Sequence, residues 1–99
     1  MGRRSRQTPL GEPVTLKVAG GSNCSSVAGA LVKYMQEKSR VSLMAIGAGA
    51  VNQMMKALAI ARGMAGSSGV DLAFTVGFAE EMVDNEKKTA IRINVFERR

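Results

Sequence analysis

The segment VSLMAI, residues 41–46, constrains the fold of this chain more than any other. A nearly continuous apolar run of this length is typical of a strand buried inside a sheet, and glycines at positions 47 and 49 end it. Upstream, apolar residues alternate with polar ones over residues 14–18, which predicts a first strand. A helical pattern lies between the two strands, so the first half of the chain predicts a β-α-β unit with parallel strands.

Two helices are predicted, one before and one after the buried strand in the sequence. Polar residues able to cap a helix, from Ser22 to Ser26, precede an amphipathic pattern that continues to about Arg40. The second helix is predicted from about Ala50 to Met64, and its large apolar residues occupy more than one stripe. Such a helix needs cover on two sides, which favours a homodimer.

The last third of the chain predicts a β-hairpin. VDLAFTVGF alternates strictly, the acidic stretch EEMVDNEKK contains the turn-prone pair Asp84-Asn85, and alternation resumes from Thr89. The predicted order is therefore βαβαββ, an α/β fold of two layers (α+β) with a mixed sheet and both helices on one face. The opposite face of the sheet is expected to be solvated.

Composition excludes several classes of function. The 99 residues suffice for one domain, and they contain one cysteine and no histidine. Intrachain disulfides, the usual zinc sites and catalysis by Ser-His-Asp or Cys-His are thereby excluded, so we expect no catalytic residues, no metal and no cofactor. No apolar run is long enough to cross a membrane or to form a signal peptide. A cytoplasmic or nucleoid-associated protein is expected.

Most of the formal net charge of +6 comes from the two ends of the chain. The tail contributes Arg3, Arg4 and Arg6, and the proline- and glycine-containing segment TPLGEP separates it from the first strand. We therefore predict a basic flexible tail over residues 1–13 and a folded domain over residues 14–99. Such a tail either keeps the chain soluble or adds salt-sensitive affinity for nucleic acid.

The glycine turn after the buried strand does not match a nucleotide-cofactor motif. The dinucleotide fingerprint requires a third glycine where this chain has Asn52, and the acidic residue that follows, Asp71, begins a strand instead of ending one. Lys56 is followed by neither Ser nor Thr, so a Walker motif is also missing. A weaker site for phosphate at the helix start, formed by Gly47, Gly49, Asn52, Gln53 and Lys56, stays open. The alternative is that the two glycines only provide positive φ angles and close packing.

The start of the first helix is a second candidate for binding anions. Ser22, Asn23 and Ser25 lie there, and both helices follow parallel neighbouring strands, so the two helix starts should lie on one edge. Two adjacent helix N-termini could bind successive phosphates. Ordinary capping of the helix is the alternative interpretation.

Three longer motifs carry a resemblance to a known family. The runs SVAGAL (residues 26–31), AIGAGAVNQMMKALAIARG (45–63) and SGVDL (68–72) resemble those of the bacterial stage V sporulation protein S family. The resemblance covers about residues 14–97. That family is similar to the Alba superfamily of small dimeric nucleic-acid-binding proteins, which implies the same βαβαββ order.

The resemblance implies a regulatory role connected with sporulation or cell division, and contacts to DNA or RNA through the two helix starts and the hairpin. Alba proteins commonly carry basic residues in the two strand–helix turns, whereas the turns here are uncharged and the hairpin is acidic. We therefore expect weak, salt-dependent, sequence-tolerant binding through phosphates. The other hypothesis is a protein-interaction or self-assembling scaffold that uses the apolar second helix and the open strand edge.

Overall fold

The computed structural model describes residues 13–37 and 40–98, and it confirms the predicted element order. The elements are β1 (Pro13–Val18), α1 (Cys24–Gln36), β2 (Arg40–Ala45), α2 (Ala48–Gly66), β3 (Leu72–Val83) and β4 (Glu86–Glu97). The sheet order is β1-β2-β4-β3, with β1 and β2 parallel and β4 antiparallel to both of its neighbours. Both helices pack on one face of this mixed sheet.

The core lies between the sheet and the helices. Its fully buried side chains include Leu31 of α1, Leu43 of β2, Leu58 of α2 and Ile93 of β4. Small residues let α2 approach closely, because alanines at positions 57, 61 and 65 are buried along one side of the helix. The larger apolar residues of α2 that suggested burial on two sides are partly exposed instead, at about two-fifths of their surface: Met55, Ile60 and Met64.

Helix ends differ from the sequence prediction by a few residues. The predicted end of α1 at about Arg40 is wrong, because α1 ends at Gln36 and Arg40 pairs with Pro13 in the sheet. The Glu37 N–H donates to the carbonyls of both Lys33 and Tyr34, so the last turn tightens. Helix α2 begins two residues earlier and ends two residues later than predicted, since Gly47 serves as its N-cap.

The hairpin is confirmed and is longer than predicted. Asp84 and Asn85 both have positive φ, 52° and 66°, as a tight turn between antiparallel strands requires. The acidic residues before the turn belong to β3, and β2 pairs with β4 only over residues 91–95. Residues 79–90 therefore extend beyond β2 as a two-stranded segment, here called the hairpin arm.

The open face of the sheet is not solvated throughout. An ion pair of 3.0 Å joins Lys17 Nζ on edge strand β1 to Glu81 Oε2 on the hairpin arm. Near it, Met44 and Ala90 are buried although their strand positions place them on this open face. The expectation of a solvated face is thus wrong at this end, because the hairpin arm meets β1 across it.

Candidate functional site

Polar side chains of the β1–α1 turn stabilise the turn itself. Ser22 Oγ accepts a hydrogen bond of 2.9 Å from the Ala19 N–H, and the Ser22 N–H donates to the Ala19 carbonyl at 3.0 Å. Asn23 is the N-cap of α1, and its Oδ1 accepts from the Ser26 N–H at 2.9 Å. These two residues thus have the capping and turn-forming roles that the alternative interpretation gave them.

The β2–α2 turn has no side-chain cap. Gly47 occupies the N-cap position with φ 93° and ψ 155°, a conformation that is essentially restricted to glycine. The first backbone bond of α2 joins the Val51 N–H to the Gly47 carbonyl at 3.0 Å, so the N–H groups of residues 48–50 have no acceptor within the helix. Gly49 lies inside the helix without a positive φ, and the expectation of a positive φ there is wrong.

A hydrogen bond holds the two turns next to each other. Gln53 Nε2 in α2 donates to the Ser22 carbonyl at 2.8 Å, while Cys24 Sγ lies 3.7 Å from the Gln53 carbonyl oxygen. Gly20 faces the start of α2, where a Cβ atom would lie 4.0 Å from the Ala50 nitrogen. The structure therefore brings the two helix starts together, and Gln53 contributes to the site by positioning them.

Among the predicted site residues at this edge, three have exposed side chains that neither cap a helix nor hold a turn: Ser25, Asn52 and Lys56. Within the described residues, none of these three side chains makes a hydrogen bond or an ion pair. Asn52 and Lys56 are four residues apart on α2, so they lie one turn from each other on the same side of the helix. Lys56 supplies the positive charge of this group.

The electrostatics at the paired helix starts favour an anion. Neither helix has an acidic residue in its first turn, so nothing there offsets the positive ends of the helix dipoles. A cleft of about 250 Å³ borders both turns through Gly20 and Ala50. Its wall includes Glu81, whose carboxylate is already paired with Lys17.

The hairpin arm carries acidic residues that have lysine partners. Glu80 lies 3.8 Å from Lys87, and Glu86 lies 3.5 Å from Lys88. All four side chains are largely exposed, so these pairs add little to stability, but they reduce the negative field of the arm. The arm as a whole stays acidic, because residues 79–90 contain four acidic side chains and two lysines.

A second charged cluster, which the sequence analysis missed, lies where β3 begins. The Asp71 carboxylate contacts Arg62 at 2.9 Å and Arg98 at 2.7 Å. Hydrogen bonds from Arg62 first, and then from Arg98, hold the pKa of Asp71 below its usual value of 3.8. These residues are 9 and 27 positions away from Asp71 in the chain, so no local pattern could have indicated their contact.

The predicted basic tail lies outside the described residues. Arg3, Arg4 and Arg6 fall in residues 1–12, which the structure does not describe, and the predicted tail stays a prediction.

Within residues 13–37 and 40–98, no group of three or more His, Cys, Asp or Glu side chains could hold a metal ion. Neither α1 nor α2, the helices in that part of the chain, is long and apolar enough to cross a membrane.

Fold and site together define a small two-layer domain that presents two helix N-termini side by side at the carboxyl ends of parallel strands. Within that class the chain belongs to the stage V sporulation protein S (SpoVS) family, whose model matches residues 14–98. The resemblance seen in the sequence is thereby confirmed. Membership in this family supports a sporulation-related regulatory role.

Proposed function

We propose that the protein is a non-enzymatic, nucleic-acid-binding regulatory protein that contacts backbone phosphates through its two strand–helix turns. The observation that supports this most is the hydrogen bond between Gln53 and Ser22, which places two helix starts next to each other. Backbone N–H groups without helical acceptors and unopposed helix dipoles at one edge are well suited to phosphate oxygens.

The same geometry favours weak and sequence-tolerant binding. Lys56 contributes a positive charge beside the turns, and backbone N–H groups contact phosphates without reading bases. The basic tail, with Arg3, Arg4 and Arg6, adds affinity that falls steeply with salt.

We further propose that the protein acts as a homodimer in the cytoplasm or on the nucleoid, without a cofactor. A dimer doubles the number of paired helix starts along one nucleic acid, which raises the effective affinity of a weak phosphate site. It also gives cover to apolar side chains of α2 that one copy leaves exposed, among them Met55 at 43%.

The test is a titration of labelled duplex DNA, single-stranded DNA and RNA with the full chain at low and at physiological salt. Lys56→Ala should weaken binding to all sequences alike and reduce the slope of log affinity against log salt by about 1. Lys33→Ala is the matched control, because Lys33 is an exposed lysine near the other end of α1. Lys33→Ala should leave the slope of log affinity against log salt unchanged.

A full chain with Arg3, Arg4 and Arg6 all changed to alanine separates the tail from the fold. If this variant loses all binding while Lys56→Ala binds normally, the tail is the site and the proposal for the turns is wrong. Absence of binding by the native chain at low salt would overturn the nucleic-acid proposal altogether.

A self-assembling or protein-interaction scaffold is the second candidate. Exposed apolar side chains favour it, since Phe78 on β3 is 81% exposed and Ile60 and Met64 on α2 are 37% and 42% exposed. Sedimentation of the native chain tests this candidate: a monomer at high concentration would count against self-assembly.

A further inference from the structure

The two edges of the sheet are protected to different degrees. Strand β1 has six residues, begins with Pro13 and carries Lys17, and these features discourage another strand from pairing with it. Strand β3 has twelve residues, and from Leu72 to Ala79 it contains neither a proline nor a charged side chain. In the described part of the chain no strand pairs with its outer edge. Such an edge is a template for strand addition.

One hydrogen bond fixes which backbone groups of β3 point outward. Arg62 Nε donates to the Leu72 carbonyl at 3.0 Å, so the backbone of Leu72 points away from β4. Backbone direction alternates along a strand, and the N–H and C=O groups of Phe74, Val76 and Phe78 therefore point to the same outer edge. These groups are available to a further strand.

Apolar side chains accompany that backbone edge. Val76 is 62% exposed and Phe78 is 81% exposed, and both lie on the face of the sheet that carries the helices. Met55, which is 43% exposed, lies seven residues before Arg62 and therefore on the side of α2 that faces β3. Backbone edge and apolar side chains thus form one surface on one side of the molecule.

We propose that a second copy of the chain pairs its β3 with this β3 in antiparallel register, centred on Val76, with the helices of both copies on the same face. Backbone hydrogen bonds between the two copies form only in a register that places residues with outward-pointing N–H and C=O groups opposite each other. In this register Phe74 lies opposite Phe78 of the second copy, and such aromatic cross-strand pairs are favourable. The inference rests on the proposed homodimer and is independent of nucleic-acid binding.

Charge complementarity selects this register among the possible ones. Centring on Val76 places Glu80 opposite Leu72 of the second copy, whose carbonyl is held by Arg62. The Glu80 and Arg62 side chains are 68% and 53% exposed, and within one copy they contact Lys87 and Asp71. The contact across the seam therefore adds a second carboxylate to Arg62. Two-fold symmetry produces this contact twice, once at each end of the paired strands.

Disulfide trapping tests the register directly. In a Cys24→Ala background, Val76→Cys places two thiols opposite each other at a Cα separation of about 5.5 Å, which a disulfide can bridge. Phe78→Cys is the matched control, because position 78 is more exposed and yet lies about 14 Å along the strands from its copy. We expect oxidation to cross-link the Val76→Cys chains and to leave the Phe78→Cys chains monomeric on non-reducing gels. A mixture of Phe74→Cys and Phe78→Cys chains should cross-link with each other.

The oligomeric state provides the second measurement. Val76→Lys should convert a dimer to a monomer in sedimentation, whereas Phe96→Lys, on the opposite face of the sheet and 44% exposed, should leave the dimer intact. A native chain that is monomeric at high concentration overturns the inference. A dimer that survives Val76→Lys also overturns it, and so does cross-linking of the Phe78→Cys chains that equals that of the Val76→Cys chains. Nucleic-acid titration of the Val76→Lys monomer distinguishes failure of this inference from failure of the proposed phosphate site. Binding by the monomer would support the phosphate site at the turns, whichever surface forms the dimer.

Discussion

Gln53 Nε2 donates a hydrogen bond of 2.8 Å to the backbone carbonyl of Ser22, and this contact joins the start of α2 to the β1–α1 turn. The two residues are 31 positions apart in the chain. The side chain of Gln53 is partly buried and its amide nitrogen is bound to the Ser22 carbonyl, so it shapes the proposed phosphate site by holding the two turns together.

Gln53→Ala should lower the free energy of unfolding by about 1 kcal/mol, because the Ser22 carbonyl loses its partner. Asn52→Ala is the neighbouring control, since Asn52 is exposed, and it should change stability by less than about 0.5 kcal/mol. Urea unfolding followed by circular dichroism measures both. Equal effects of the two substitutions would contradict the positioning role of Gln53.

The glycines at positions 47 and 49 should respond in opposite ways to alanine. Gly47→Ala forces a side chain into φ 93° and should cost about 1–3 kcal/mol. Gly49 lies in helical conformation with no atom within 4 Å of an added Cβ, so Gly49→Ala should stabilise the protein by about 0.5–1 kcal/mol. Thermal unfolding of the two variants checks the difference in sign, and destabilisation by both would show that Gly49 is also conformationally restricted.

Asn23→Ala should destabilise the protein by about 1 kcal/mol, because the Ser26 N–H loses the acceptor that caps α1. Asn23→Ser should retain most of the stability, since a serine hydroxyl can accept the same hydrogen bond. Denaturant unfolding of the two variants measures the contribution of the cap. A Ser variant as unstable as the Ala variant would mean that the Asn side chain acts through another contact.

The stability of the protein should fall in acid partly through Asp71. Arg62 and Arg98 lower the pKa of Asp71 in the folded state, so the carboxylate stabilises the fold above its unfolded value near 3.8. That stabilisation is lost as the pH falls through the lower, folded pKa. Asp71→Asn should therefore flatten the acid limb of a stability–pH profile measured by urea unfolding, and added salt should reduce the difference.

Asp84→Asn serves as the carboxylate control for that measurement. Asp84 is exposed in the hairpin turn, and it has no ion pair among the described residues. Asparagine tolerates the same left-handed backbone conformation. An acid limb that flattens as much in Asp84→Asn as in Asp71→Asn would argue against a specific role of the arginine contacts.

Much of the fold was predictable because its signals are local. The alternation of residues 14–18, the apolar run of β2 and the Asp84-Asn85 turn each depend on neighbours in the chain, and each prediction holds. The ends of the helices were less predictable. Arg40 continues a helical pattern in the sequence, yet its pairing with Pro13 places it in the sheet.

The packing of α2 shows why the positions of large apolar residues do not by themselves identify the buried side of a helix. Alanines 57, 61 and 65 are buried beside Met54 and Leu58, while Met55 and Met64 are partly exposed. Hydrophobic pattern analysis gives more weight to methionine than to alanine. Close approach of a helix to its neighbours depends instead on small side chains.

The sequence by itself determined the element order, the family and the presence of two polar, glycine-containing helix starts on one edge of the sheet. Only the tertiary structure decided that Gln53 links those starts, that Lys17 meets Glu81, and that Arg62 and Arg98 share Asp71. The physical reason is separation along the chain. Secondary structure follows from periodicities over a few residues, whereas each of these polar contacts joins groups that only folding brings within hydrogen-bonding distance.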